Sequence, residues 1–478
     1  MMRTPSIKPA VAVLAGALTL GACSTFSPDG GMNVAANLAE QELHKDVVAI
    51  RTQDDASSAQ ARVQQLLKRP LTADTAVQIA LLNNRGLQAA YNELGIAEAA
   101  MVGASLPPNP TFSVSRLSGP LEIELEKRIV ANILALATLP ARAEVAADRF
   151  RQAQLRAAEE TLRVAAETRR AYYRAIAARE LDGFLEQAKS AAETASQLAR
   201  RLGETGAMNK LDQAREQVFY AEIAAQLAGA RQRAASDRER LVRSLGLWGG
   251  DLGFKLPNAL AALPRRPHAL PGIETEAIRR RVDLQIARIE LDALAKSYGL
   301  TQATRFINLL EVAGIGKTSI ERETGERIRS RGFEIEFQVP LFDFGEVRVR
   351  EAEATYMQAV NRLLELAVNA RSHARDAYRG YRSAYDIASH YQREVLPLRK
   401  IISDETLLRY NAMQIDVFSL LTEARQRVVA TMAAIEAKRD FWLATTDLQA
   451  VVVGGGISGG GTAGGRPLAD SSGQPGGH

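Results

Sequence analysis

The sequence predicts a mostly α-helical protein with a small membrane β-barrel part. Three observations support this fold class: long stretches with heptad spacing, short stretches with strand-like alternation, and an order of these elements that occurs twice along the chain. The chain has 478 residues, of which 24% are charged and 5% are aromatic, a composition that suits helices better than a β-sandwich. Because this length exceeds one simple core, we expect repeated units or several domains.

Two halves of the chain match in the order of their predicted elements. Residues 247–272 are rich in Gly and Pro and are interpreted as a linker between a first repeat, residues 70–246, and a second repeat, residues 273–453. Each repeat is predicted to contain a helix, two strands, a much longer helix and a returning helix. Short local identities between the halves favour an internal duplication.

The two ends lie outside these repeats. Residues 1–22 have the basic start and short apolar core of a secretory signal, and that core is too short to cross a bilayer as a helix. The signal ends in LGAC and resembles a bacterial lipobox with lipidation at Cys23; an ordinary secretory signal with a chance cysteine is the alternative. Residues 23–69 are expected to form an extended lead segment, and the Gly-rich residues 454–478 are expected to be disordered.

The predicted long helices carry a heptad pattern, which would pack them side by side in a left-handed coiled coil. A helix of sixty residues would be about 90 Å long. Pro397 is expected to kink the second long helix locally. In the first repeat the stripe comprises Leu181, Phe184, Ala188, Ala191, Ala195, Leu198 and Leu202. In the second repeat it comprises Leu363, Ala367, Ala370, Ala374, Ala377, Tyr381, Ala384, Ala388, Tyr391, Val395, Leu398 and Ile402.

Each repeat is predicted to form one β-hairpin. The four strands are expected near residues 109–118, 121–136, 304–319 and 328–341. In the last of them Phe333, Ile335 and Phe337 alternate with Glu334 and Glu336, so one face suits lipid and the other water. Open edges in lipid would leave backbone groups unpaired, and four strands cannot close a barrel. A membrane barrel would therefore have to be shared between chains.

The sequence has no motif for catalysis, so we predict no enzyme activity, no cofactor and no metal site. GIGKTS at residues 314–319 lacks the first glycine of a phosphate loop, because Glu311 stands at that position. The net charge is +5 from 60 basic and 55 acidic residues, without a basic block that would predict nucleic-acid binding. The histidines, which lack metal-ligand spacing, are His44, His268, His373, His390 and His478.

Together these features resemble the TolC-type outer-membrane efflux channel family over residues 70–453. The most specific stretches are SLPPNPTFSVS, VPLFDFGEVRVREAEA, GETGAMNKLDQAREQ and RYNAMQIDVFSLLTEARQ. The chain is most similar to the outer-membrane lipoproteins of tripartite metal- and drug-exporting pumps. The resemblance implies a homotrimer with a twelve-stranded barrel and a twelve-helix tunnel.

This resemblance also implies a function and a location. The protein would sit in the cell outer membrane, anchored by lipid (palmitate) at Cys23, and extend into the periplasm. It would passively conduct metal ions or drugs received from an inner-membrane pump through a periplasmic adaptor protein. The alternative is a periplasmic coiled-coil lipoprotein that acts as scaffold or adaptor, which would not need four amphipathic strands.

The strands are expected to lead into the long helices at defined residues. Pro140 follows the second predicted strand of the first repeat, and Pro340 and Gly345 follow that of the second. These residues are interpreted as the points where lipid-crossing strand becomes periplasmic helix, once in each repeat.

The family pattern implies a gate and an adaptor contact at the turns that join the long helices. It puts Gly206 at the first turn and Asp212 at a gate position, where a ring of carboxylates would favour cations. In the second turn Met413 stands where glycine is usual and Ser419 where an acid is common. Asp416 lies one helical turn earlier, so either Asp416 or Ser419 would face the constriction; a solvated helix-start role is the alternative for Asp416. Further candidates for gate or adaptor contacts are Arg201, Arg409 and Tyr410.

Overall fold

The computed structural model describes residues 26–454, so the predicted signal peptide, Cys23 and the tail beyond Gly454 lie outside the described residues. The first part of the chain comprises α1 (Asn33–Leu43), α2 (Gln53–Leu67), α3 (Ala73–Asn83), α4 (Arg85–Ser105), β1 (Thr111–Ser118), β2 (Glu122–Asn132), α5 (Ile133–Ala137), α6 (Leu139–Glu204) and α7 (Lys210–Leu245). The second part comprises α8 (Ile273–Arg280), α9 (Val282–Ala303), β3 (Leu309–Glu321), β4 (Arg327–Gln338), α10 (Glu346–His390), α11 (Leu396–Asn411) and α12 (Val417–Val453).

The predicted fold class of long helices with a small β part is confirmed. The helix α6 has 66 residues and would be about 99 Å long at the standard rise. In the second part, α10 continues into α11 through a π-helical turn at Tyr391–Val395. This turn ends two residues before Pro397, whose ring and missing N–H disturb the regular helical hydrogen bonds. No helix within residues 26–454 is long and apolar enough to cross a membrane.

The heptad prediction is confirmed for much of α10 and needs correction for α11 and α6. In α10 the predicted stripe residues Ala370, Ala374 and Tyr381 are buried, whereas Leu398 and Ile402 of α11 are exposed. In α6 the predicted Ala191 and Leu198 are exposed. The prediction is correct for Leu181 and Ala188, and the chain also buries Leu185, Ala192 and Ala199 along this stretch. At Ala191 and Leu198 the covered face of α6 therefore lies one residue further along the chain than predicted.

The N-terminal segment is helical, which corrects the expectation of an extended lead. Thr52 begins α2 with a capping box, in which its hydroxyl accepts a hydrogen bond from the Asp55 amide and the Asp55 side chain accepts one from the Thr52 amide. The helix α1 packs against α6. Val63 of α2 is buried in the apolar core that also contains Ala35 of α1. Both helices are therefore packed parts of the fold.

The linker, residues 247–272, is packed rather than free. Its side chains Phe254 and Leu260 are 5% and 4% exposed and belong to the core formed by α3, α4 and α6. Further along the linker, the indole N–H of Trp442 in α12 donates to the Ala261 carbonyl at 3.1 Å. The linker therefore connects the cores of the two parts of the chain.

The four strands form one antiparallel sheet in the order β1-β2-β3-β4. The two hairpins lie side by side because β2 pairs with β3, for example with Ile129 opposite Gly314. One face of the sheet is apolar: Phe112 is 70% exposed and Phe333 is 79% exposed. Within the described chain, β1 and β4 each have one edge without a neighbouring strand.

The junctions between sheet and long helix differ in the two parts. Pro140 lies in the first turn of α6. Pro340, in contrast, lies in the loop before α10, and Gly345 is the N-cap residue of α10. As expected, each repeat has a proline where the sheet leads into the long helix, and Gly345 lies at the second junction. The two junctions differ because Pro140 lies inside its helix whereas Pro340 precedes its helix.

Candidate functional site

The first turn, between α6 and α7, holds Asp212 in a network of local contacts. Gly206 adopts φ +77°, a left-handed conformation that favours glycine. The Asn209 side chain caps α7 by accepting a hydrogen bond from the Asp212 amide at 2.9 Å, and its Nδ2 donates to Asp212 Oδ2 at 2.7 Å. Arg215 binds the other oxygen of Asp212 at 3.0 Å. Both carboxylate oxygens of Asp212 are therefore engaged at the start of α7.

The second turn, between α11 and α12, gives Asp416 a capping role. Its Oδ1 accepts hydrogen bonds from the Ser419 amide at 2.8 Å and from the Ser419 hydroxyl at 2.6 Å. These two donors hold the pKa of Asp416 below its usual range. The sequence-predicted pair Asp416 and Ser419 is therefore in direct contact, and both residues are exposed.

The two turns share a backbone feature at equivalent positions. Met413 adopts φ +55° and is 94% exposed. It thus takes the left-handed conformation that Gly206 takes in the first turn, although this conformation costs a residue with a Cβ about 1–2 kcal/mol. The two turns therefore have the same left-handed backbone conformation at Gly206 and at Met413.

The three further candidates make contacts within their own helices and turns. The carbonyl of Arg201 accepts a hydrogen bond from the Thr205 amide at 3.2 Å. The Arg409 guanidinium binds Glu405 at 3.0 Å along α11. The carbonyl of Tyr410 accepts a hydrogen bond from the Met413 amide at 3.0 Å. Arg201 is exposed, so its side chain can contact a partner outside this chain.

Two buried carboxylates beyond the turns were not predicted. Glu216 of α7 is 1% exposed and Glu423 of α12 is 9% exposed. Each follows the left-handed residue of its turn, Gly206 or Met413, at the same spacing in the sequence. One buried glutamate therefore lies at an equivalent position beside each turn.

Each buried glutamate binds an arginine from another helix. The Glu216 carboxylate is 2.5 Å from the Arg425 guanidinium, which connects α7 to α12. The Glu423 carboxylate is 3.1 Å from the guanidinium of Arg399, which connects α12 to α11. Burial raises the pKa of Glu216 above its usual range, and the positive charge of Arg425 opposes this effect. We call the contact between Glu216 and Arg425 the hairpin tie, because it joins the two pairs of long helices.

Aromatic rings reinforce the hairpin tie. The Arg425 guanidinium lies 4.8 Å from the centre of the Phe219 ring. Arg215 lies 5.3 Å from the centre of the Phe418 ring and so makes a second contact between α7 and α12. Cation–π contacts of this kind are stronger where the cation is partly removed from water. The ends of the two helix pairs are therefore joined by both charge and packing.

Heptad spacing is the signal that could have identified these carboxylates. Glu216 continues the buried stripe of α7 that contains Ile223 and Leu227. Glu423 continues that of α12, which contains Ala430 and Ala437. An acidic residue on a stripe of small and apolar residues must be paired when it is buried. Such a residue therefore indicates a partner on another helix.

An open groove lies between α11 and α12 at the same end of the molecule. It has a volume of about 540 Å³. Apolar side chains of Ile402, Ile415 and Phe418 line it, and Glu405 and Arg409 lie beside them. Within residues 26–454, no group of three or more His, Cys, Asp or Glu side chains is arranged to hold a metal ion.

Comparison with known proteins finds one family model that matches part of the chain and several solved structures with a similar fold. Residues 275–412 match the family model described as outer membrane efflux protein. The fold is similar to the crystal structure of CusC, at 17% identity and a TM-score of 0.66, over 80% of this chain and 92% of that one. No curated protein sequence matches this chain significantly.

Two further channel structures share the fold. The Campylobacter jejuni outer membrane channel CmeC is 15% identical, with a TM-score of 0.64 over 84% of this chain and 86% of that one. The open state of the Neisseria gonorrhoeae outer membrane channel MtrE is 16% identical, with a TM-score of 0.65 over 82% of this chain and 89% of that one. Residues 275–412 therefore match the outer membrane efflux protein model, and the fold of the chain is similar to the folds of CusC, CmeC and MtrE.

Proposed function

We propose that this protein is the outer-membrane channel of a tripartite efflux pump and passively conducts substrates from a pump and an adaptor to the outside. The observation that carries the proposal is the combination, in one chain, of an amphipathic sheet with very long helices. The helix α6 alone has 66 residues and starts within a few residues of the sheet. A sheet that crosses the outer membrane would thereby continue directly into a periplasmic tunnel.

A homotrimer would cover the strand edges and the apolar helix surface that a single chain leaves exposed. The outer edges of β1 and β4 would pair with neighbouring chains, and three chains would supply twelve strands for a closed barrel. On α10, Met357, Leu364 and Val368 follow heptad spacing and are 49%, 59% and 67% exposed. An exposed apolar stripe of this kind is the surface that a second long helix would cover.

The charges of the sheet favour positively charged substrates. Seven glutamates lie on the face opposite the apolar one, according to the strand register: Glu122, Glu124, Glu126, Glu311, Glu321, Glu334 and Glu336. In a closed barrel this face would line the pore, where acidic side chains attract cations. Metal ions and cationic drugs both carry the positive charge that this face would attract.

The turns would form the periplasmic end of the tunnel. We assign the gate to Asp212, Asp416 and Ser419, and the adaptor contact to Arg201, Gly206, Arg409, Tyr410 and Met413. The exposed Met413 and the apolar groove between α11 and α12 offer packing surface for a partner helix. Residues 1–22 would be removed as a signal peptide, and a lipid on Cys23 would give a second attachment to the outer membrane.

Native mass spectrometry and conductance test this function. We expect the full-length protein in mild detergent to consist of three chains, each carrying an acyl mass that Cys23→Ser removes. We also expect resistance to alkaline extraction from membranes and cation-selective conductance in planar bilayers. A protein that is extracted by alkali and conducts no ions would instead support a periplasmic scaffold or adaptor lipoprotein.

Neutralising the two gate aspartates is expected to weaken cation selectivity and to reduce block by multivalent cations. The double variant Asp212→Asn with Asp416→Asn removes both charges. Asparagine at position 416 can still cap α12, and Asp212 loses only a surface ion pair with Arg215, so stability should change by less than about 1 kcal/mol at each position. Reversal potentials across a salt gradient in planar bilayers provide the measurement. Asp404→Asn is the matched control, because Asp404 is exposed on α11 near the same end. Selectivity equal to that of the control would show that neither gate carboxylate faces the constriction.

A further inference from the structure

The apolar face of the sheet carries basic residues at one end and no acidic residue. The strand register places Lys127 opposite Gly316 and Gly316 opposite Arg331, so these residues share a face with Phe333 and Ile335. All five basic side chains on this face belong to exposed residues. We call them the basic end of the apolar face: Arg116, Lys127, Arg327, Arg329 and Arg331.

Charge is separated between the two faces of the sheet. The basic side chains of the opposite face make ion pairs with its glutamates: Lys317 with Glu124 at 2.6 Å and Arg128 with Glu334 at 3.2 Å. Within the described part of the chain, none of the five residues of the basic end has a carboxylate partner at ion-pair distance. The basic end therefore has positive charge available for a ligand.

The basic end lies one membrane thickness from the other end of the apolar face. At that other end, Phe342 and Phe344 are 104% and 56% exposed, as in the aromatic girdle of a membrane interface. A strand tilted by about 40° advances about 2.6 Å per residue along the membrane normal. Arg329 therefore lies about 26 Å from the level of Val339, close to the apolar band of about 25 Å in outer-membrane barrels. This places the guanidinium groups at the outer headgroup region.

The surface between two of the basic side chains is open. Gly316 separates Lys127 from Arg331 across the sheet, and no atom lies within 4 Å of the place where a Cβ would be. Neighbouring strands are about 4.8 Å apart, so the backbones of Lys127 and Arg331 lie about 10 Å apart. Two long cationic side chains at this distance can approach one phosphate group from both sides.

We propose that the basic end of the apolar face binds the phosphate groups of anionic glycolipid in the outer leaflet of the outer membrane. The apolar rows next to the basic end suit acyl chains, which a free phosphate ion lacks. Charge complementarity and the interfacial position both favour an amphiphile with a phosphorylated head. This inference rests on the proposed function, because it requires that the sheet crosses the membrane.

The triple variant Arg327→Gln, Arg329→Gln, Arg331→Gln tests the proposal. Each basic side chain near an anionic lipid surface is worth about fivefold in affinity. We therefore expect the full-length variant to bind diphosphoryl lipid A at least tenfold more weakly than the natural protein does. Lipid titrations followed by native mass spectrometry in mild detergent give the affinities. The natural protein should also prefer diphosphoryl to monophosphoryl lipid A, and added salt should weaken binding.

The matched control removes the same charge from the helical part of the chain. Lys68, Arg69 and Arg266 are exposed and lie outside the strands, so Lys68→Gln, Arg69→Gln, Arg266→Gln should keep natural affinity. Equal lipid A affinity in both triple variants, or displacement of lipid A by equimolar inorganic phosphate, would overturn the proposal. Alkaline extraction of the same membranes separates the two possible failures. A natural protein that resists extraction but shows no phosphate preference refutes only the lipid site, whereas an extracted protein refutes the proposed channel.

Discussion

In the proposed channel, the variant Arg425→Ala is expected to open the end at which the two turns lie and to raise the conductance. Truncation leaves Glu216, which is 1% exposed, without the guanidinium at 2.5 Å that balances its charge. Removing one partner of a buried ion pair costs about 3–5 kcal/mol. Because the hairpin tie joins α7 to α12, separation of these helices would relieve the cost by admitting water to Glu216. Single-channel recordings in planar bilayers measure the expected increase.

Two further variants distinguish the effect of losing the hairpin tie from the effect of losing one positive charge. Arg427 lies on the same helix, is exposed, and donates to the Ser403 hydroxyl at 3.4 Å, so Arg427→Ala should conduct like the natural channel. The double variant Glu216→Gln with Arg425→Gln removes both charges and should restore most of the closed behaviour. Equal conductance in Arg425→Ala and Arg427→Ala would show that the tie does not restrain the helices.

The partner of Glu216 could not have been found from local sequence. The tie spans 209 positions along the chain, and no periodic pattern connects residues so far apart. The capping contacts, in contrast, join residues within one turn, as in Asp416 with Ser419. The sequence therefore predicted where the turns and their acids lie, and heptad spacing could have revealed the buried carboxylates, while the arginine that binds Glu216 could be identified only from the three-dimensional structure.

The same distinction explains the outcome for the fold. Alternation in β4 predicted the apolar face of Phe333 and Ile335, because strand periodicity depends only on neighbouring residues. The stripe of α6 was wrong at Ala191 and Leu198, because α6 packs against several other helices and heptad spacing does not reveal which of them covers a given face. The helix α2 was missed because its polar composition outweighed the capping box at Thr52.

The variant Gly345→Ala is expected to destabilise the junction between sheet and long helix by about 3 kcal/mol or more. Gly345 adopts φ +73°, and an added Cβ would lie 2.3 Å from the carbonyl oxygen of Arg305. That backbone cannot easily move away, because the Arg305 side chain donates to the Phe344 carbonyl at 2.8 Å and binds Glu346 at 2.8 Å. A lower midpoint of thermal unfolding and a smaller yield of assembled protein should result.

Gly380→Ala is the control that isolates this steric effect from the general preference of helices for alanine. Gly380 lies inside α10, and no atom of the described chain outside its own helical turns lies within 4 Å of the place where a Cβ would be. Alanine there should raise stability by up to about 1 kcal/mol. Gly345→Ala adds a methyl group at the N-cap of α10, and Gly380→Ala adds one inside the same helix. The two substitutions should nevertheless shift the unfolding midpoint in opposite directions. Equal shifts would show that Arg305 can withdraw and that the strand-to-helix junction does not require glycine.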